Sequence, residues 1–337
     1  MAELRYNPLL RDWTMVASNR QSRPNMPAHD CPFCPGSGRV PEQYEVLSYD
    51  NDFPALSPDP PEPDPAGGGP YRVAPAVGKC EVVLYSQDHA TALPRLPVHH
   101  VRKVVDLWTE RFAALAQNPR HRYVFIFENR GPEVGVTMPH PHGQIYAYPY
   151  VPQKLRTELE ACEQHHTATG RCLICDMNEE ERSFGRRVLF DAEHFIAYLP
   201  FFTDYPYGAY IVSKRHLTSL ADLTEAEKDG LALTLKRLTA GMDALYNRDF
   251  PYMMAVHQRP VNGANVEDFY HFHIEFYPPL RARDRIKFLA SSETGAWAPC
   301  NTAAVEDTAE ELRAAIGRAV QDSGAVAPTV REGSRHA

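Results

Sequence analysis

Two short cysteine pairs, Cys31-Pro32-Phe33-Cys34 and Cys172-Leu173-Ile174-Cys175, are the first residues of this chain whose type and spacing suggest chemistry. A C-x-x-C turn holds two thiolates close enough to share one ion, and a borderline-soft, redox-inert ion such as zinc takes thiolate and imidazole in a closed tetrahedron. Cys34 is followed 55 residues on by His89 and 51 further by His140, which opens His140-Pro141-His142-Gly143-Gln144. Cys175 is followed 41 residues on by His216 and 55 further by His271, which opens His271-Phe272-His273-Ile274-Glu275. One such series would leave a reduced structural cysteine pair as an equal alternative; two in the same order favour metal. The expected ligands are Cys31, Cys34, His89 and His140 for one zinc. Cys172, Cys175, His216 and His271 form a second set. Neither pair reads as the start of a thioredoxin-like unit, so a redox dithiol is disfavoured.

His140, His142 and Gln144 alternate, so on a strand they share one side. If His140 is the fourth ligand of an ion, His142 keeps an unprotonated ring nitrogen for other work. Imidazole is a competent nucleophile toward a phosphoryl or nucleotidyl group. Gln144 offers an uncharged amide donor for a phosphoryl oxygen.

The elements that must carry these residues also occur twice. KCEVVLYSQDH (Lys79–His89) and YGAYIVSKRH (Tyr207–His216) each read as a strand ending in His. A helix is predicted after each. In the first, Val98, Val101, Val105, Trp108, Phe112 and Leu115 recur at helical spacing; in the second, Leu231, Leu235, Leu238, Met242 and Leu245 do so. Thr224 and Glu227 form a capping box for the second. Strands Tyr123–Glu128 and Tyr252–His257 then precede the two His-x-His segments. The pattern predicts an α+β fold of duplicated units sharing a mainly antiparallel sheet with flanking helices. Residues 1–150 form the half with the nucleophile, 151–322 the second half and 323–337 a disordered tail, with the joint near Pro149–Thr169. The Pro- and Gly-rich stretch Ser57–Gly78 is expected to be a mobile surface loop, not a central strand.

The chain has 337 residues, with 35 Lys and Arg against 43 Asp and Glu, a net charge of -8. That balance argues against a general nucleic-acid binder, though a local Arg or Lys cluster still suits a small anion. No apolar run approaches about 18 residues, so no spanning helix is expected. The polar N-terminus lacks a signal-peptide core, and a cytoplasmic location is expected. Seven Cys are too few for a disulfide scaffold; Cys80, Cys162 and Cys300 read as packing residues.

The segment FENRGPEVGVTMPHPHGQIYAYPY (Phe127–Tyr150) resembles the signature of the galactose-1-phosphate uridylyltransferases, a branch of the histidine-triad superfamily. Further pieces agree in order. They are Ser18-Asn19-Arg20-Gln21-Ser22-Arg23-Pro24, Asn51-Asp52-Phe53, Asp88-His89, Phe276-Tyr277-Pro278-Pro279 and Ile286-Lys287-Phe288. The resemblance spans about residues 5–320. It implies a ping-pong reaction in which UDP-glucose gives UMP to a histidine and galactose 1-phosphate then takes it. It places the nucleophile at His142, with the His140 carbonyl orienting the ring, and a phosphoryl contact at Gln144. It assigns zinc to Cys31, Cys34, His89 and His140. Substrate contacts fall on Arg20, Arg23, Asn51, Asp52, Asn129 and Thr137. The family is a homodimer, and the partner subunit would complete the site through Lys287, Phe288 and Glu293.

Three positions depart from the family pattern. Thr137 stands where serine is common, Ser292 where some members have Tyr, and Glu275 where some have a metal-binding His. Those members hold a second metal through a Glu and three His, which fall here on Glu158, His257, His273 and Glu275. That set rivals the second cysteine set and shares no ligand with it. A related adenylyltransferase of the ADP-glucose phosphorylase kind is the alternative activity. Gly143 favours the uridylyl reading, because adenylyl relatives carry Ser between the His and the Gln. A zinc-stapled binding module without activity would need a broken nucleophile motif, and this one is intact.

Overall fold

The computed structural model describes residues 2–21, 31–64 and 68–322; Arg23 and the expected tail 323–337 lie outside them. The chain begins with the hairpin β1 (Ala2–Asn7) and β2 (Asp12–Ala17), followed by β3 (Leu47–Asp50), β4 (Val73–Pro75) and β5 (Lys79–Leu84). Helix α1 (Val98–Ala116) leads into β6 (Tyr123–Arg130) and β7 (His142–Tyr148). Helices α2 (Gln153–Thr169) and α3 (Leu173–Phe184) connect to β8 (Val188–Asp191), β9 (Phe195–Tyr198) and β10 (Ala209–Ser213). Next come α4 (Glu225–Tyr246), β11 (Tyr252–His257) and β12 (His273–Tyr277). A small hairpin, β13 (Leu280–Ala282) and β14 (Arg285–Ile286), the short α5 (Ser292–Gly295) and α6 (Val305–Asp322) follow.

Nine strands form one sheet in the order β3-β5-β7-β6-β11-β12-β10-β9-β8, antiparallel throughout. The register makes the duplication concrete. Gln144 pairs with Phe127 on one side and Val82 on the other; Glu275 pairs with Ala255 and Tyr210 in the same way. Phe127 and Ala255 face each other across the central β6–β11 pair. A local twofold therefore passes between them and relates His142 to His273, Gln144 to Glu275 and Asn129 to His257.

One face of the sheet carries α1, α4 and α6, packed on Ile126, Ile145, Ile211, Val256 and Ile274. The predicted helical stripe holds: Val101, Val105, Trp108, Phe112 and Leu115 of α1 and Leu231, Leu235, Leu238 and Met242 of α4 are buried. Each such side chain contributes about 1.5–3 kcal/mol through removal from water. Thr224 accepts from the Glu227 amide, and Glu227 returns the bond, as the capping box requires.

Strand alternation turns Ile145 and Ala147 of β7 toward this helical face and His142, Gln144 and Tyr146 toward the other. The other face is covered only in patches. The sheet β2-β1-β4 packs near Tyr146, the turn of Cys31 and Phe33 packs on Val82 and Leu84, and Cys162, Cys172 and Ile174 pack on Ile196, Tyr198 and Val212.

Several local expectations are corrected. The stretch Ser57–Gly78 contributes the edge strand β4, which pairs with β1 from Val73 to Pro75; an edge is where a strand tolerates Pro. Cys80 and Cys162 are buried as packing residues, but Cys300 is exposed. Cys172 stands at the N-cap position of α3 and Cys175 in its first turn, so the second pair opens a helix.

Candidate active site and metal centres

His140 sits just before β7 and is buried, and the carbonyl of Ser86 accepts from its Nε2 at 2.7 Å. That bond turns Nδ1 toward the cysteines. Cys31 Sγ and Cys34 Sγ each lie 3.7 Å from His140 Nδ1, and Cys34 Sγ lies 3.4 Å from His89 Nδ1. Tyr44 stands behind the group: its hydroxyl donates to the Phe33 carbonyl at 2.6 Å and lies 3.0 Å from His140 Nε2. Burial pushes the Cys31 thiol up to about 11 and the His140 imidazole down to about 4. The imidazole is thus neutral, as a ligand must be. A buried thiolate needs a cation beside it.

The second set has the same plan. Cys172 Sγ and Cys175 Sγ lie 3.7 and 3.3 Å from His271 Nδ1, and Cys175 Sγ lies 3.6 Å from His216 Nδ1. His271 Nε2 reaches the Ser213 carbonyl at 2.9 Å, matching the bond from His140 to Ser86. His216 Nε2 reaches the Glu267 carbonyl at 2.6 Å. Hydrogen bonding from Cys175 and the two histidines lowers the Cys172 thiol, and the neighbouring Cys172 raises Cys175. In each set the ligand atoms lie within 4.8 Å of one another, and so do those of Glu158, His257, His273 and Glu275.

His142 is the first residue of β7. Its Nδ1 lies 2.7 Å from the His140 carbonyl oxygen, so Nδ1–H donates and Nε2 keeps a lone pair. Two clefts meet at His142. One, of about 370 Å³, is lined by Asn129, Arg130, Thr137, His142 and Arg248 among others. The other is narrow and lined by Asn51, Asp52, Thr137, His142 and Gln144. The loop 131–141 between β6 and β7 turns at Gly131 (φ 96°) and Gly135 (φ 79°), placing Thr137 in both clefts. Arg20 bonds the Tyr146 hydroxyl at 2.7 Å, on the face that carries Gln144.

Lys287, Phe288 and Glu293 line neither cleft. Lys287 is buried against Glu293 at 2.6 Å, whereas Phe288 is 74% exposed. Arg95, Arg130 and Arg248 of the larger cleft were missed by sequence reasoning. They are paired with carboxylates: Arg130 with Asp243 at 2.6 Å, Arg95 with Asp249 at 2.6 Å, and Arg248 with Glu133. Arg130 adjoins Asn129 in the signature segment, a signal that would have found it; Arg95 and Arg248 carry none.

Comparison with known proteins places the chain in a family. Residues 1–152 match the galactose-1-phosphate uridyl transferase N-terminal domain, and residues 158–292 match the C-terminal domain. The galactose-1-phosphate uridylyltransferase of Thermotoga maritima is 42% identical, over 93% of this chain and 98% of that protein. This chain belongs to the galactose-1-phosphate uridylyltransferase family. A solved uridylyltransferase structure superposes with TM-score 0.86 at 31% identity, covering 94% of this chain and 99% of that one. An ADP-glucose phosphorylase from Arabidopsis thaliana, solved with bound ADP-glucose, shares the fold at TM-score 0.72 and 22% identity, over 93% of this chain and 99% of that one. Within the uridylyltransferase family this chain is a transferase, and no helix among the described residues is long and apolar enough to cross a membrane.

Proposed function

We propose that this chain carries a uridylyl group from UDP-glucose to galactose 1-phosphate, releasing glucose 1-phosphate and then UDP-galactose, with His142 as the nucleophile. The observation that carries the reading is the 2.7 Å bond from His142 Nδ1 to the His140 carbonyl, which aims an unprotonated Nε2 into the clefts. In the first half-reaction Nε2 forms a bond to the α-phosphorus. The bond from that phosphorus to the oxygen of glucose 1-phosphate breaks, and the leaving phosphate takes the electron pair. In the second half-reaction a phosphate oxygen of galactose 1-phosphate displaces the imidazole. Positive charge grows on the ring while it carries UMP, and the His140 carbonyl dipole stabilises it. Gln144, two residues on and on the same face, donates its amide to the phosphoryl oxygen and cannot lend a proton to water. Asn51, Asp52, Asn129 and Thr137 contact substrate from the cleft walls, and Arg20 and Arg23 offset phosphate charge.

Zinc fits both cysteine sets. Around a tetrahedral zinc, a sulfur and a nitrogen ligand stand about 3.6 Å apart, and the observed separations run from 3.3 to 3.7 Å. Cys31, Cys34, His89 and His140 hold one ion and Cys172, Cys175, His216 and His271 a second; bound zinc supplies a rigid structural tie, which in the first set fixes His140 behind the nucleophile. Residues 1–150 and 151–322 act as two histidine-triad-like halves. The enzyme works as a cytoplasmic homodimer in which the segment of Lys287, Phe288 and Glu293 completes the partner's cleft; the exposure of Phe288 supports this, with the buried Lys287–Glu293 pair bracing the segment behind it.

The test is intact-mass analysis after mixing with UDP-glucose. A UMP adduct on His142, absent from His142→Ala, is expected. An AMP adduct formed from ADP-glucose instead would favour the adenylyl reading, and an undiminished rate of glucose 1-phosphate exchange in His142→Ala would refute the nucleophile. Elemental analysis is expected to give about two zinc ions per chain, falling to about one in Cys172→Ser/Cys175→Ser.

A further inference from the structure

The twofold places His273, Glu275 and His257 where the first half has His142, Gln144 and Asn129, and the ring of His273 is held by the His271 carbonyl at 3.0 Å as His142 is by His140. In the first half this face opens into clefts. In the second, α2 crosses it and sends Lys154 and Glu158 onto the cluster. We infer that the Lys154 ammonium is the resident cation of the Glu158–His257–His273–Glu275 cluster, and that the cluster holds no metal.

Two observations carry this. Lys154 Nζ lies 2.6 Å from Glu275 Oε2 and 3.8 Å from Glu158 Oε1, so it spans both carboxylates. The Tyr277 hydroxyl lies 2.6 Å from the same Nζ and also donates to Glu275. Glu275 Oε2 is therefore taken by two donors, and Oε1 lies 3.3 Å from His273 Nε2. Glu158 Oε2 lies 2.7 Å from His257 Nδ1 and Glu275 Oε2 3.5 Å from His257 Nε2, so the ammonium stands among the atoms an ion would need. Glu275 is 1% exposed and needs a positive partner. Lys154 is half-exposed along its length and reaches down from the first turn of α2 to supply it. The tether fills the charged centre of the second copy of the nucleophile site, at the edge of a cleft of about 350 Å³ lined by Lys154, His257 and Tyr277, and pins the connecting helix to the sheet.

The test is metal content after incubation with excess Zn²⁺ or, without oxygen, Fe²⁺, followed by desalting and elemental analysis. Four proteins are compared: wild type, Glu158→Gln, Lys154→Met and Lys154→Met/Glu158→Gln. Wild type and Glu158→Gln are expected to hold equal metal. Lys154→Met is expected to gain about one ion per chain, which the double variant loses. A wild type that loses about one ion on Glu158→Gln overturns the inference without any use of the Lys154 variants. A folded Lys154→Met that gains none overturns it as well.

Discussion

Gly143 lies between His142, the proposed nucleophile, and Gln144, and replacing it with Ala measures how tightly the strand that carries both is held. A Cβ there would stand 2.3 Å from the Tyr85 hydroxyl and 3.1 Å from the Phe127 carbonyl oxygen. Ordinary contact begins near 3.4 Å, so something must move by about an ångström. Tyr85 has no room to swing: it is fully buried, with its ring edge-on to Trp108 at 6.0 Å between centroids. Overpacking of this kind costs about 1–3 kcal/mol. At about 2.1 cal/mol/K per residue, unfolding 337 residues carries about 0.7 kcal/mol/K, so Tm should fall by about 1.5–4 °C. A shift of about an ångström between His142 and Gln144 should cost about a hundredfold in turnover. Melting followed by near-ultraviolet circular dichroism gives the first quantity, and exchange of labelled glucose 1-phosphate into UDP-glucose gives the second. Tyr85→Phe removes the struck atom, so Gly143→Ala/Tyr85→Phe should recover most of both, a coupling of about 1–2 kcal/mol. If Gly143→Ala melts and exchanges like wild type, or if Tyr85→Phe restores nothing, the account of β7 as pinned from the helical face is wrong.

Gln144→His should lower transfer and raise UMP release to water, because imidazole can act as an acid–base group where the amide cannot; unchanged partitioning between galactose 1-phosphate and water would refute this. Burial raises the Glu128 carboxyl to about 7 from its ordinary 4.5, so the folded chain keeps a proton that the unfolded chain releases across that window. Stability should therefore fall by about 3 kcal/mol as pH rises from about 4.5 to 7, and urea titrations should find that loss missing in Glu128→Gln. Thr224→Ala removes the side-chain cap of α4, far from His142; it should cost about 1 kcal/mol in denaturant melts and leave uridylyl exchange unchanged.

The residues bound by shared geometry were the ones most legible in the sequence. Four side chains able to share one ion must converge, and the order Cys-Cys-His-His recurs in both halves and exposes the duplication before any strand is placed. Trp108, Leu235 and their neighbours recur at helical spacing because one helix face meets one sheet face, and that stripe predicted α1 and α4. Helix α2 was hidden for the opposite reason: it buries only Leu155 and Cys162, too few to mark a period, because polar contacts to the sheet hold it as well. Lys154 and Glu275 are 121 residues apart, and a single ion pair leaves no spacing to read. The Arg95–Asp249 and Arg248–Glu133 pairs were illegible on the same ground. The clefts show the same division. Asn51 and Asp52 enter on a loop after β3, and Asn129 and Thr137 come from β6 and the following loop. Only the sheet order, which sets β5 and β7 side by side and β6 next, explains why residues so far apart in the chain meet at one imidazole. Spacing singled out the side chains suited to chemistry; pairing of strands, which spacing does not encode, decides which of them share a cleft.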